Sequence, residues 1–407
     1  MKRLLVLGAG TAGTIFANRM RKHLPDRWTI SVVDGDPVHV YQPGLLFLPL
    51  GAHDEHRITR PRARTLDVEW VREEVFRVDA DKKQVTLLDD TVLSYDVLVI
   101  ASGARPRPDL VRGLVGEDWH RDAFDFFTLG GAQALRHAIA RFHAGRFVVQ
   151  IVEPPVKAPF AALELCFLAD ELFRKRGTRK DIEITLTTAY PATFEWPLAA
   201  QTFGRLLEAR DIHVQTSVFT KEIDRDARVI RTIEGRELPY DLLVAIPPHS
   251  GAAFIERSGI GDDLAFVPTD PKTLGAKHLH EVFVLGDATD LDVPKVGSVA
   301  HYQAELLVEN LVRHLHKKPL LGSYEGHASY FVETGGGKAL LVDYDHDHEP
   351  HVGYFPTGVG PIPMLQESRL AHYGKRAFRF LYWSGLLPGR PFPVGAQPLG
   401  KPSVPIF

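Results

Sequence analysis

The chain has 407 residues, a formal net charge of −3, 24% charged and 44% hydrophobic residues, and one cysteine. Its length allows two or three domains with substantial cores, and its near-balanced charge gives no reason to expect a nucleic-acid partner. The single cysteine, Cys166, excludes an intrachain disulfide and any multi-cysteine cluster, and fits a reducing compartment.

The first 34 residues carry the most specific signal. An apolar strand, Leu4 to Leu7, runs into Gly8-Ala9-Gly10-Thr11-Ala12-Gly13, then a helix, then a second strand, Ile30 to Val33, ending at Asp34. Gly8 suits the tight turn, Gly10 the close approach of backbone to a pyrophosphate, and Gly13 the packing of helix on sheet. The helix start offers free N–H groups and a positive dipole to phosphates, and Asp34 stands where a carboxylate accepts ribose hydroxyls. Lys2-Arg3 before an apolar run mimics a leader peptide. The glycines and the following Arg19, Arg21 and Lys22 argue against one. No stretch nears the roughly 18 apolar residues of a membrane span, so a soluble or peripheral protein on the cytoplasmic side is expected.

The loop from Asp36 to Gly44 and the apolar Leu45 to Leu50 could line a cofactor or form a buried connector. Arg57, Arg60, Arg62 and Arg64 read as a solvated basic face. Residues 69–99 alternate, with a hairpin turn at Asp89-Asp90. The strand Val97 to Ile100 then meets Ala101-Ser102-Gly103, small residues that let a backbone come close to a ligand.

A second α/β unit begins at Arg146 to Val152, with a helix from Ala161 to Arg176 and a strand from Ile182 to Leu186. Its phosphate turn would fall at Glu153-Pro154-Pro155-Val156-Lys157-Ala158-Pro159. That loop has no glycine and three prolines, poor material for cradling a pyrophosphate, and argues against tight pyridine-nucleotide binding. Tyr240-Asp241 and its apolar strand repeat Tyr95-Asp96 and the strand after it. Val282 to Leu285 then turns on Gly286 and presents Asp287 at a carboxyl strand end, where open parallel sheets bind ligands.

Together these residues resemble the two-dinucleotide-domain flavoproteins. Within that group the chain is similar to sulfide:quinone oxidoreductases and the flavoprotein subunits of flavocytochrome c sulfide dehydrogenase. The narrower likeness lies in Pro294-Lys295-Val296-Gly297-Ser298-Val299-Ala300-His301 leading into the helix Ala304 to Leu315, in Pro-Val-Lys at 155–157, and in Gly326 to Lys338. The resemblance implies an α/β fold with two Rossmann-like domains and a C-terminal β/α region with amphipathic helices. Its domains would be 1–110 with 245–320 for FAD, 111–244 with a degenerate nucleotide loop, and 321–407.

It also implies roles. Gly8, Gly10, Thr11, Ala12 and Gly13 would hold the FAD pyrophosphate and Asp34 the adenosine ribose. Ala101, Ser102 and Gly103 would lie close to the cofactor, Gly286 and Asp287 at its ribityl chain. Lys295, Val296 and the helix starting near Gly297 would lie by the flavin ring, with Lys295 the candidate catalytic residue. Sulfide:quinone oxidoreductases use a cysteine pair beside the flavin. This chain has Ala158 and Tyr330 at the positions expected for it, and Cys166 lies in an apolar helix as a small core residue. No dithiol relay can form.

In the C-terminal region, a strand at Ala339 to Tyr344 precedes a polar turn, Asp345 to His351, that reads as a solvated hairpin tip, and no metal site is expected. Basic and aromatic residues from Lys375 to Trp383 fit a helix in a membrane interface, and the resemblance places the membrane contact at 372–388 and a quinone beside it. The proline-rich tail, Pro391 to Phe407, is expected to wrap the surface. The leading reading is an FAD enzyme passing electrons from a small donor, sulfide or another, to a quinone. Two others stay open: a single-subunit NADH:quinone oxidoreductase, and a flavin-bearing electron-transfer subunit that needs a partner chain. Homo-oligomers are compatible with any of them.

Overall fold

The computed structural model describes residues 1–116, 119–321, 324–345, 349–356 and 360–390. From the N-terminus, β1 (Lys2–Leu7), β2 (Trp28–Val33), β3 (Glu69–Val71) and β4 (Val97–Ile100), with α1 (Thr11–Met20) after β1, give four of the five strands of a parallel sheet. β1 and β4 read as continuous apolar runs because both faces of the sheet are covered, and Leu4 to Leu7 and Leu98 to Ile100 are fully buried. The antiparallel strands Val75–Asp79, Gln84–Leu87 and Val92–Ser94 form a separate small sheet between β3 and β4.

The chain then builds a second parallel sheet from β5 (Ala123–Phe124), β6 (Gly145–Ile151), β7 (Ile182–Thr188), β8 (Ile212–Gln215) and β9 (Leu242–Ile246), in the order β5-β9-β6-β7-β8. Its helices are α2 (Leu129–Arg141), α3 (Phe160–Arg176) and α4 (Pro197–Glu208). The chain returns to the first sheet with β10 (Val282–Val284), giving the order β10-β4-β1-β2-β3, and α5 (Gly297–Leu315) packs beside α1. The carboxyl ends of β10, β4 and β1 share one edge, and the chain leaves β1 and β4 in opposite directions across the sheet. That is where open α/β sheets form a ligand crevice.

The C-terminal region is an antiparallel hairpin, β11 (Ala328–Gly335) and β12 (Lys338–Tyr344), covered by α6 (Arg369–Leu381). A π-helical turn, Tyr382–Leu386, follows α6 and docks onto the N-terminal domain. Asn18 on α1 donates to the Leu387 carbonyl (2.8 Å) and Lys22 to that of Gly389 (3.2 Å). The buried Tyr382 hydroxyl lies 2.8 Å from Thr11 Oγ1 and 2.7 Å from His39 Nε2. His39 Nδ1 donates to the Ala9 carbonyl (3.1 Å), so its Nε2 accepts from Tyr382, and Thr11 donates to the tyrosine oxygen. The segment Tyr382 to Gly389 is thereby fastened to the N-terminal glycine turn and α1.

Two readings of basic residues change. Arg62 does not belong to a solvated face: it is 4% exposed, donates to the carbonyls of Ala9, Asp36 (2.5 Å) and Val38 (2.9 Å), and pairs with Asp34 at 3.3 Å. It turned inward because the Ala9 carbonyl of the turn after β1 and the Asp36 and Val38 carbonyls after β2 converge on it, beside the Asp34 carboxylate. Lys375 likewise points inward from α6, to Glu164 and the Phe331 carbonyl. The outer face of α6 carries Arg369, Leu370, Tyr373, Arg376 and Phe380, all exposed. Among the described residues no helix is long and apolar enough to cross a membrane. The centre of the polar turn at 345–351, His346 to His348, and the tail from Pro391 lie outside the described residues.

Two outcomes follow for stability. A Cβ at Gly13 would sit 2.0 Å from the Gly8 carbonyl oxygen, whereas one at Gly10 meets nothing within 4 Å. Gly13→Ala should therefore cost roughly 1–3 kcal/mol or more in urea unfolding, and Gly10→Ala should be near neutral. Burial, with help from Arg62, pushes the His39 pKa down to about 3. The unfolded chain therefore binds one more proton at this site between about pH 6.5 and 3, and stability falls as pH falls through that window. His39→Gln should flatten the stability–pH slope below pH 6 by up to about 1.4 kcal/mol per pH unit.

Candidate active site

The crevice is built by close approach of glycine backbone. Gly8 sits at φ +100, and a Cβ there would meet the Ala101 carbonyl at 2.6 Å and Ser102 Cα at 2.8 Å. Gly286, at φ +64, faces Ala12, whose Cβ would lie 3.1 Å from its own. The structure thus brings Gly8, Ala12, Gly13, Ala101, Ser102 and Gly286 together. Gly10 and Gly103 are the positions whose side-chain direction is open space. Two buried polar atoms here, Ser102 Oγ and Gln303 Nε2, have no hydrogen-bond partner among the described residues, while Gln303 Oε1 accepts from Gly286 N at 2.7 Å. An open glycine cradle with orphaned donors beside it fits a polar dinucleotide. Asp34 accepts from Ala9 N (2.7 Å) and Asp36 N (3.0 Å), which fixes its carboxylate at the end of β2 with lone pairs to spare for hydroxyls.

The proline loop, 153–159, faces this crevice from the second sheet, and its backbone is already engaged by protein. The Pro155 carbonyl accepts from His249 N (2.7 Å), and Ala158 N donates to the Lys295 carbonyl (3.3 Å). Three prolines carry no N–H and Ala158 N is taken, so little of this loop is suited to cradling a second pyrophosphate. Lys295 Nζ donates to the carbonyls of Asp287 (3.1 Å) and Thr289 (2.9 Å) and lies 4.0 Å from the centre of the Phe266 ring. Burial lowers its pKa, and the carboxylates of Asp287, Asp262 and Asp290 oppose that. Val296, the N-cap of α5, is buried beside it.

At one of the two positions expected for a cysteine, Tyr330, the structure holds a stacked ring; the other is Ala158. Tyr330 stacks on Phe160 at 3.9 Å and 7° between planes, and its hydroxyl lies 3.4 Å from that of Tyr344, which donates to Glu195. Cys166 is fully buried in α3, and burial pushes its thiol pKa up, so it is not a reactive thiolate. Among the described residues no group of three or more His, Cys, Asp or Glu is placed to hold a metal ion.

Several site residues escaped the sequence reading. Glu164 is 1% exposed within α3, receives Lys375 from α6 and accepts from Glu333 N (2.9 Å). Glu333 in turn meets His372 at 2.8 Å. Burial raises the Glu164 pKa and Lys375 opposes it. A carboxylate in the run Ala161-Ala162-Leu163-Glu164-Leu165-Cys166-Phe167 was the available signal. Lys157 and His249 were also missed as site residues. His249 is fully buried beside Phe127, and burial and Lys157 push its pKa down to about 3.

Comparisons with known proteins agree with this geometry. The sequence pattern of the pyridine nucleotide-disulphide oxidoreductases matches residues 2–304. The mitochondrial sulfide:quinone oxidoreductase of Mus musculus is 24% identical over 396 residues, covering 95% of this chain and 86% of that one. That of Dictyostelium discoideum is 24% identical over 402 residues, covering 96% and 87%. The sulfide:quinone oxidoreductase structure from Aquifex aeolicus superposes with a TM-score of 0.83 at 20% identity, covering 96% of this chain and 92% of that chain. The chain belongs to the pyridine nucleotide-disulphide oxidoreductase family, and is a flavin-dependent oxidoreductase similar to sulfide:quinone oxidoreductases.

Proposed function

We propose that the crevice holds FAD and that the enzyme passes two electrons from a small donor, sulfide first among the candidates, to a quinone. The observation that carries this is the pairing of one open glycine cradle with one proline-filled loop. The first has the open positions Gly10 and Gly103 and the orphaned Ser102 hydroxyl. The second has three prolines and no glycine, with its Pro155 carbonyl bonded to His249 N and its Ala158 N to the Lys295 carbonyl. A pyridine nucleotide would need the second loop, so the NADH:quinone reading is the weaker one.

In this reading the amides of Gly10, Thr11, Ala12 and Gly13 at the start of α1 bind the pyrophosphate. Gly8 keeps the turn tight, and Asp34 takes the adenosine ribose. Ala101, Ser102 and Gly103 border the cofactor, and Gly286 and Asp287 orient the ribityl chain. Lys295, Val296 and the α5 N-terminus supply positive potential at the ring end. FAD supplies a two-electron store between donor and acceptor.

The acceptor side falls at α6. The Glu164–Lys375 pair, with Glu333 and His372 behind it, leads from the interior toward the face of α6 that carries Tyr373 and Phe380. Exposed aromatic and arginine side chains on one helical face suit a membrane surface, from which an apolar quinone would enter.

The purified protein should be yellow and release FAD on denaturation, and Gly10→Ala should fold normally yet lose most of its FAD. Flavin reduced by a small donor should be reoxidised by a short-chain quinone. Cys166→Ala should leave donor and quinone rates within about twofold of wild type, since the thiol takes no part. A flavin-free protein that takes up no FAD contradicts the proposal, as does a Cys166→Ala variant that is reduced by no donor.

A further inference from the structure

The two lysines at the crevice differ in how their donors are used. Lys295 is spent: its ammonium reaches two carbonyls and an aromatic face. Lys157 is 5% exposed, and its one hydrogen bond among the described residues goes to the neutral amide oxygen of Gln42 at 3.0 Å. An ammonium has three donors, so two find no acceptor among the described residues. The carboxylates that favour its charge, Asp287 and Asp125, act through space. Asp125 is already bonded to His120 (2.5 Å), Phe127 N (2.6 Å), Thr128 N (2.9 Å) and Thr128 Oγ1. Its other close neighbour, His249, stays neutral and gives no counter-charge. Asp287 belongs to the crevice itself.

Burying a cation against a single neutral acceptor costs several kcal/mol, and an apolar side chain of the same volume would pack there at less cost. The arrangement makes physical sense when a group bearing acceptors and negative charge enters the crevice. We propose that Lys157 is that group's cation: it meets the cofactor ring and stabilises the negative charge the ring takes on when electrons or an anion are added to it. The assignment rests on the reading that the crevice holds FAD. It shifts the leading role from Lys295, whose contacts hold the β10–α5 connection in place, to Lys157, which the backbone bond from Ala158 N to the Lys295 carbonyl keeps alongside.

Sulfite tests this without any turnover. It adds through sulfur to the oxidised flavin ring with no leaving group, its electron pair moves into the ring, and the ring's absorbance bleaches. A cation beside the ring strengthens the binding. The FAD-loaded wild type should bleach on sulfite titration. Lys157→Met should keep its FAD and unfold at or above the wild-type temperature, yet bind sulfite roughly thirtyfold or more weakly, the lower end of losing one partner of a buried charge pair. Lys157→Arg should retain sulfite binding within about fivefold, and Lys295→Met should change it less than Lys157→Met does. Unchanged sulfite affinity in Lys157→Met overturns the assignment, as does a wild type that carries FAD but does not bleach. A Lys157→Met protein that unfolds well below wild type shows a structural lysine and overturns it too. A wild type without FAD instead sinks the functional reading beneath it.

Discussion

Everything at this site depends on how closely α1 can approach the end of β1. With hydrogen in place of Cβ at Gly13, the helix sits directly over the Gly8 carbonyl, and Gly8 in turn lies against Ala101 and Ser102. That contact sets where the free amides of the first helical turn point, and where β4 and β10 must end. The C-terminal strap of Tyr382 to Gly389 fastens to the same place through Thr11, His39, Asn18 and Lys22. The segment 382–389 and the N-terminal glycine turn are therefore coupled, and the helix expected to face a membrane is anchored beside the cradle.

The family to which the chain belongs is named for two features that this sequence lacks. It has no cysteine pair, and its second phosphate turn is built of prolines whose neighbouring backbone groups bond to His249 and Lys295. At the positions expected for the thiols stand Ala158 and Tyr330, the latter stacked on Phe160 with Tyr344 behind it. What the proline loop contributes is a cation, Lys157, held in the crevice with donors to spare. Charge in a dry cavity, rather than a covalent relay, is the chemistry that the residues offer.

The fold was legible wherever it depended on backbone sterics and apolar periodicity. The glycine turn, the buried strands Leu4 to Leu7 and Val97 to Ile100, the helix after the proline loop and the antiparallel turn at Asp89-Asp90 all follow from local rules. What the sequence hid were charges whose positions depend on distant partners. Arg62 looked like its solvated neighbours because the three carbonyls it satisfies come from other segments. Lys375 looked like one more cation of an interfacial helix until α3 placed Glu164 beneath it. Lys295 was singled out by its motif, yet only the contacts show that its ammonium reaches two carbonyls and a ring while that of Lys157 has Gln42 alone among the described residues.

The central claim is that one cofactor is held here, and that it is loaded by a small molecule rather than by a nicotinamide. Anaerobic mixing of the FAD-loaded protein with sulfide, NADH and NADPH side by side, followed at the flavin absorbance, tests it most directly. The account predicts bleaching by sulfide or a comparably small donor at rates compatible with turnover, and none of that speed with either nucleotide. Rapid bleaching by NADH, with sulfide inert, would contradict it.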